Sequence, residues 1–388
     1  MHFDFKILNN INKHLGYNLI KLNMSHQLNR WIKYNDEEFS MLDNPYIIGS
    51  PTHPPPTIQT IREKKQIYSP VTNISDLLKL ARENPIVENV EYSINMAALQ
   101  KILEPLGKLE KMIGMETLKE NVVDQIIYFI QDLHIKDDST GAFNDYMHTA
   151  IYGPPGTGKT EVAELLGAIF SKMGILKKNK FKKVTRADLI AGYLGQTAIK
   201  TADVIKECLG GVLFIDEAYS LGTKEKKDSF SKECIDTLCE ALSNHKSDLM
   251  VIIAGYEKEL NDCFFNMNPG LNSRFNWRYK IDAYTSEQMT QIYEKKIKDN
   301  GWMLQEPIPQ NWFESNKCYF KYYGRDIELL LSRVKIAHGR RLFSSATYSK
   351  KALTTSDLEN GMKMFLSNDE IKKRNENIER SVLTTMYL

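Results

Sequence analysis

The stretch GPPGTGKT, residues 153–160, decides the fold. It follows a short apolar run, TAIY (149–152), and opens a segment, 159–173, in which Val162, Leu165, Leu166, Ile169 and Met173 recur at spacings of three and four. That spacing puts one apolar face on a helix. A glycine-rich turn between a buried strand and a helix is the setting of a phosphate-binding loop. Its glycines let the backbone curl until successive N–H groups face a phosphate, and the helix N-terminus adds a favourable dipole. Gly153, Pro154, Pro155, Gly156, Thr157, Gly158, Lys159, Thr160 and Glu161 are therefore the candidate nucleotide-binding residues. In this pattern Lys159 reaches the β/γ-phosphates of ATP, and the Thr160 hydroxyl ligates Mg²⁺.

Working outward, further apolar runs alternate with helical patterns: KKVT (182–185), GVLFID (211–216), LMVIIAG (249–255) and RYKID (278–282). Strands separated by helices predict a parallel sheet covered on both faces. The run VLFIDEA (212–218) ends in two carboxylates that the sheet edge presents towards the nucleotide. Asp216 is the candidate for the Mg²⁺ shell, and Glu217 for orienting and deprotonating the attacking water. After about residue 284 the strand pattern gives way to helical segments. The fold class is thus α/β, a P-loop parallel sheet sandwiched by helices and followed by a small α-helical lid domain.

The rest of the chain is less regular. The expected organisation is an extension over 1–70 containing the Pro-rich linker SPTHPPPT (50–57), a helical connector over 71–105, an ATPase domain over 106–283, a lid over 284–366 and a charged tail over 367–388. One helix is expected from SDLLKLAREN, with Ser75 as its cap, and a second through residues 95–114. With 51 Lys and Arg against 49 Asp and Glu, the net charge of +2 favours no partner class. Five cysteines without a C-x-x-C pair imply reduced thiols. No apolar run approaches the roughly 20 residues that cross a bilayer, and the N-terminus lacks a leader-like apolar core. A soluble, intracellular protein without membrane contact is expected.

The P-loop, VLFIDEAY, VIIAGYEKEL (251–260) and NPGLNSRF (268–275) together resemble the AAA+ ATPases of the CbbX/CfxQ (red-type rubisco activase) and SpoVK family. The resemblance runs from about Leu106 to about Phe365. It implies that Ile113 and Gly114 line the adenine pocket. It puts Tyr256 where the wider superfamily carries a polar sensor, and makes Arg274 the arginine that a neighbouring subunit points at the γ-phosphate. Arg278 is a weaker second candidate for that finger, and Arg325 matches a sensor arginine at the start of a lid helix.

The family further implies a homo-oligomeric ring, a hexamer, with the loop after the second strand lining its pore. In this chain that loop is DLIAGYLGQTAIKT (188–201), so Tyr193, Leu194 and Gly195 are the candidates for gripping a protein substrate. A second loop, 220–233, is expected to face the same way. Two other readings stay open: a nucleic-acid-associated ATPase, for which KKNKFKK (177–183) is the basic cluster, and an ATP-dependent scaffold that moves nothing.

Overall fold

The apolar runs around the phosphate loop form one parallel sheet of five strands: β1 (Thr149–Tyr152), β2 (Phe181–Val184), β3 (Val212–Ile215), β4 (Met250–Gly255) and β5 (Trp277–Lys280). Their spatial order is β2-β3-β4-β1-β5, with Tyr152 opposite both Gly255 and Lys280, and Val184 opposite Ile215. The computed structural model describes residues 63–137, 142–143, 145–193, 195–225, 228–343 and 350–374. All of these belong to one unit, Ile61–Leu388. The N-terminal extension up to residue 62, Leu194 and the tail beyond 374 lie outside the described residues.

Period-two alternation divides the sheet between two cores. Ile151, Val212, Phe214, Met250, Ile252 and Ala254 face one core, while Ala150, Tyr152, Leu213, Ile215, Val251 and Ile253 face the other. Before the sheet come α1 (Ile74–Glu83), α2 (Met96–Lys101), α3 (Leu103–Glu110) and α4 (Glu116–Ile130). The P-loop opens α5 (Lys159–Met173), which joins these four helices on the first face. Helices α6 (Thr197–Cys208) and α7 (Ser229–Asn244) cover the second. A fully buried Leu or Val side chain is worth roughly 1.5–3 kcal/mol relative to exposure, so both faces hold the β1 terminus in place.

Two expectations near the N-terminal helices need correction. The cap of α1 is Asn73, not Ser75: its side chain accepts the Asp76 N–H, and the Asp76 carboxylate accepts from Thr72 and Asn73 in return. The single helix expected over 95–114 is broken at Ile102. Pro105 accounts for the break, because its ring would clash with the carbonyl four residues back, whereas in the first turn of α3 its missing N–H costs nothing.

The C-terminal region is helical, with α8 (Ser286–Asp299), α9 (Trp312–Asn316), α10 (Tyr323–Phe343) and α11 (Thr355–Leu366), plus a two-residue ladder between Met303–Leu304 and Ala352–Leu353 that the sequence pattern missed. The start of α10 is braced from the tail. Asp326 accepts the Tyr322 N–H at 2.7 Å and Arg374 at 3.0 Å, while the Arg374 guanidinium lies 4.1 Å from the Tyr322 ring.

At the foot of β1, His148 is fully buried. Its Nδ1 accepts the Val251 N–H of β4 at 3.1 Å, and Nε2 lies 3.3 Å from the Leu242 carbonyl at the end of α7. Burial pushes its pKa down to about 4, with the Arg274 charge adding to the effect. The ordinary value is near 6.5, so as pH falls the unfolded chain takes up the proton first. This contribution to stability is therefore complete above about pH 6.5 and is lost as pH falls towards 4. Urea denaturation should show about 2 kcal/mol of lost stability between pH 7 and pH 5 from this group, and His148→Gln should remove that part of the slope.

Candidate functional site

The residues of the phosphate loop take the backbone shape their types allow. Gly156 and Gly158 have φ of +73° and +86°, a region open to glycine at little cost. The Gly153 N–H donates to the Gly255 carbonyl at 3.1 Å, which carries the β1–β4 ladder into the loop. The Thr157 hydroxyl donates to Pro154 O at 2.8 Å. Lys159, the first residue of α5, donates to the carbonyls of Gly153 at 2.8 Å and Pro154 at 2.7 Å.

Burial pushes the Lys159 pKa down to about 8. Asp216 opposes the shift, Arg325 adds to it, and Glu217 opposes it. Asp216, Arg325 and Glu217 thus all stand close enough to Lys159 to act on its charge. Tyr256 joins them: its ring lies 5.9 Å from the Lys159 ammonium and 6.0 Å from the ring of Tyr219.

Asp216 and Glu217 follow β3 directly. Glu217 sits in the left-handed region, φ +51°, which costs a non-glycine residue on the order of 1 kcal/mol and is found disproportionately at functional sites. Its N–H donates to Asp216 Oδ1 at 3.1 Å. The Thr160 hydroxyl, in the first turn of α5, and the Asp216 carboxylate are hard oxygen donors suited to Mg²⁺. A cation already stands at that carboxylate, because Lys183 Nζ lies 2.6 Å from Asp216 Oδ2. The donor set thus fits a magnesium ion shared with phosphate oxygens.

A cleft of about 350 Å³ opens beside the loop. Gly156, Thr157, Gly158 and Glu161 form its floor, and Met112 and Ile113 form one wall. The lid supplies the other through Tyr284, Ile292, Lys295, Lys296 and Asp299, then Gly324, Arg325 and Glu328. Ile113 thus lines the cleft, while Gly114 stands behind it at φ +68°, packed against Gln288 and Tyr284. The α8 residues were not singled out from the sequence, although Ile292, Lys295, Lys296 and Asp299 share a helix face at spacings of three and four.

Lid and loop touch directly. Tyr284, whose hydroxyl pKa burial pushes up to about 12, donates to the Thr157 carbonyl at 3.0 Å. The Gly324 N–H donates to the Gly156 carbonyl, also at 3.0 Å.

Arg274 does not line this cleft. Its Nε donates to Ser243 Oγ at 2.7 Å and its Nη1 to the Gly270 carbonyl at 2.6 Å. Arg278 is spent locally, on Phe275 O, on Asn272 and on the face of the Phe265 ring.

The loop after β2 presents Tyr193 with 75% of its surface exposed. Nothing lies within 4 Å of a Cβ built on Gly192 or on Gly195, the latter at φ +77°. The loop following the carboxylates is tied down at its ends, since Arg186 binds Ser220 O, Ser231 and Asp228. The basic cluster 177–183 is engaged within the chain: Lys177 pairs with Asp248, Lys178 donates to the Leu209 carbonyl and Lys180 to the Glu207 carbonyl, Lys182 pairs with the Glu207 carboxylate, and Lys183 with Asp216.

Comparison with known proteins identifies the family. The family described as "ATPase family associated with various cellular activities (AAA)" matches residues 149–282. A cfxQ-like protein of Acanthamoeba polyphaga mimivirus is 37% identical over 73% of this chain and 70% of its own length. Stage V sporulation protein K of Bacillus subtilis is 36% identical over 66% and 80%. The chloroplastic ribulose bisphosphate carboxylase/oxygenase activase of Cyanidioschyzon merolae is 34% identical over 70% and 92%.

The lid contact yields a test. A Cβ on Gly324 would stand 2.7 Å from the Gly156 carbonyl oxygen, where neither backbone can yield without opening the contact. Gly324→Ala should therefore leave circular dichroism unchanged and weaken binding of a fluorescent ATP analogue about tenfold.

Proposed function

The chain belongs to the AAA family of ATPases, in the branch of the CfxQ/CbbX proteins and stage V sporulation protein K, and we propose that it uses ATP hydrolysis to pull on a protein substrate within a homo-oligomeric ring. The observation that carries this reading is Tyr193: a large aromatic, three-quarters exposed, mounted between two unhindered glycines at the mouth of α6. An aromatic ring grips many side chains without directional demands. Gly195, and Leu194 by its place in the sequence, complete the gripping element. A hexamer is the ring size the family implies.

The assigned chemistry is in-line attack of water on the γ-phosphorus. Lys159 and the loop N–H groups hold the phosphates, with Glu161 at the cleft floor and Ile113 and Gly114 towards the base. Mg²⁺, held by Thr160, Asp216 and phosphate oxygens, would neutralise charge on the β- and γ-phosphates. Glu217 accepts the proton of the attacking water. Tyr256 and Arg325 report the γ-phosphate to the sheet and the lid.

Arg274 is assigned to the cleft of the next copy. Its absence from its own cleft suits that role. The ATPase domain then spans 106–283 and the lid 284–366, with the nucleotide between them. Five free cysteines, three of them buried, suit an intracellular setting. Among the described residues no helix is long and apolar enough to cross a membrane.

Two experiments test the proposal. A trans arginine contributes roughly 10³–10⁵ in rate, so Arg274→Ala should reduce ATP turnover at least a thousandfold. Mixing it with Glu217→Gln chains should restore activity, because some interfaces then combine an intact Glu217 with an intact Arg274; no recovery would refute a shared site. Tyr193→Ala should keep its melting temperature and basal turnover, since exposed side chains change stability by about 0.5 kcal/mol or less. Stimulation of turnover by unfolded casein should disappear; retained stimulation would remove Tyr193 from the grip.

A further inference from the structure

Lys183 stands opposite Phe214 in the β2–β3 ladder, and its ammonium lies 5.7 Å from the centre of that ring. Asp216 comes two residues after Phe214 and so keeps the same side of the sheet. The lysine stem therefore runs past the ring, and Nζ meets Asp216 Oδ2 at 2.6 Å. The other oxygen, Oδ1, accepts the Glu217 N–H. Both oxygens of the carboxylate assigned to the metal are thus engaged, one of them by a cation. The two partners differ in what they can do. The Glu217 N–H is fixed by the backbone, whereas the Lys183 side chain is 45% exposed and can swing into water.

We propose that Lys183 is a built-in counter-cation of Asp216, which holds the carboxylate in place until Mg²⁺ arrives with the nucleotide and which the metal must displace. The inference rests on the assignment of Asp216 to the metal shell. An ammonium and a divalent cation compete for one carboxylate, so Lys183 raises the Mg²⁺ concentration needed for nucleotide binding. It also makes a stray divalent cation a poor ligand for the site without phosphates to share its charge. Lys183 acts through Asp216 and is a positioning residue.

The test is binding of a fluorescent ATP analogue to the full chain, titrated with free Mg²⁺ and compared with binding in EDTA. Lys183→Met keeps the apolar stem and removes the charge at an exposed strand position, so the fold is expected to survive. Its Mg²⁺ midpoint should fall about fivefold, the scale of a partly exposed ion pair. Affinity in EDTA should match the parent. Lys183→Arg, which restores a cation, should return the midpoint to the parental value. A midpoint in Lys183→Met equal to or above the parent's would overturn the inference while leaving the nucleotide site intact. Parental binding that ignores Mg²⁺ altogether would instead overturn the metal assignment of Asp216, and the role of Lys183 with it.

Discussion

Everything in this molecule depends on one turn of backbone being held from both sides. Gly156 and Gly158 permit the left-handed bends, and the sheet fixes where the turn begins through the Gly153–Gly255 hydrogen bond. The lid fixes where it ends. A Cβ on Gly156 would meet the Tyr322 carbonyl at 2.0 Å, so the start of α10 rests against the phosphate loop with no room for a side chain. The phosphate loop and the lid therefore touch backbone to backbone, with no side chain between them. The tail reaches the same point, because Arg374 pairs with Asp326 and stacks on Tyr322. Any shift of this backbone turn would therefore press directly on the start of α10.

The charges around that turn are arranged to be incomplete. Burial pulls the Lys159 pKa down to about 8, and Arg325 adds to that pressure while Asp216 and Glu217 relieve it. Its ammonium is satisfied by two loop carbonyls, which are weaker partners than a triphosphate. Asp216 has the opposite deficit and is balanced by Lys183. On the proposed reading, nucleotide with its metal would replace these pairings by stronger ones. A single buried charge removed from such a set leaves its partner exposed to the full desolvation cost, so the charged residues here are expected to be coupled rather than additive.

Much of this was legible in the sequence. The five strands follow from short apolar runs bounded by turn residues, and Lys159–Met173 coincides with the periodic segment. Strand β2 ends one residue earlier than expected because Thr185 is taken by the cap of a one-turn helix, Arg186–Leu189. What could not be read is tertiary. Asn73 rather than Ser75 caps α1 because the reciprocal partner is Asp76. Nothing local marks Lys183 as the partner of Asp216, since the pairing depends on which strands are neighbours. The α8 wall of the cleft shows the same limit: its face is periodic, but the sequence does not say whether that face meets a core or a ligand.

Tyr193 illustrates how local sequence and fold divide the work. Two glycines around an aromatic are compatible with a loop that tucks the ring under the sheet. The difference lies in what precedes and follows. Leu189 is buried, and the Thr185 and Asp188 cap ends the chain's regular path just before the loop. Buried Thr197, whose hydroxyl accepts the Ala191 N–H, pins the loop's other side. With both ends anchored, the Tyr193 ring is left three-quarters exposed. Exposing a tyrosine forfeits roughly 2 kcal/mol of burial that the fold could have used. The loop is thus held at both roots while Tyr193 projects from it, the arrangement that the proposed gripping role asks for.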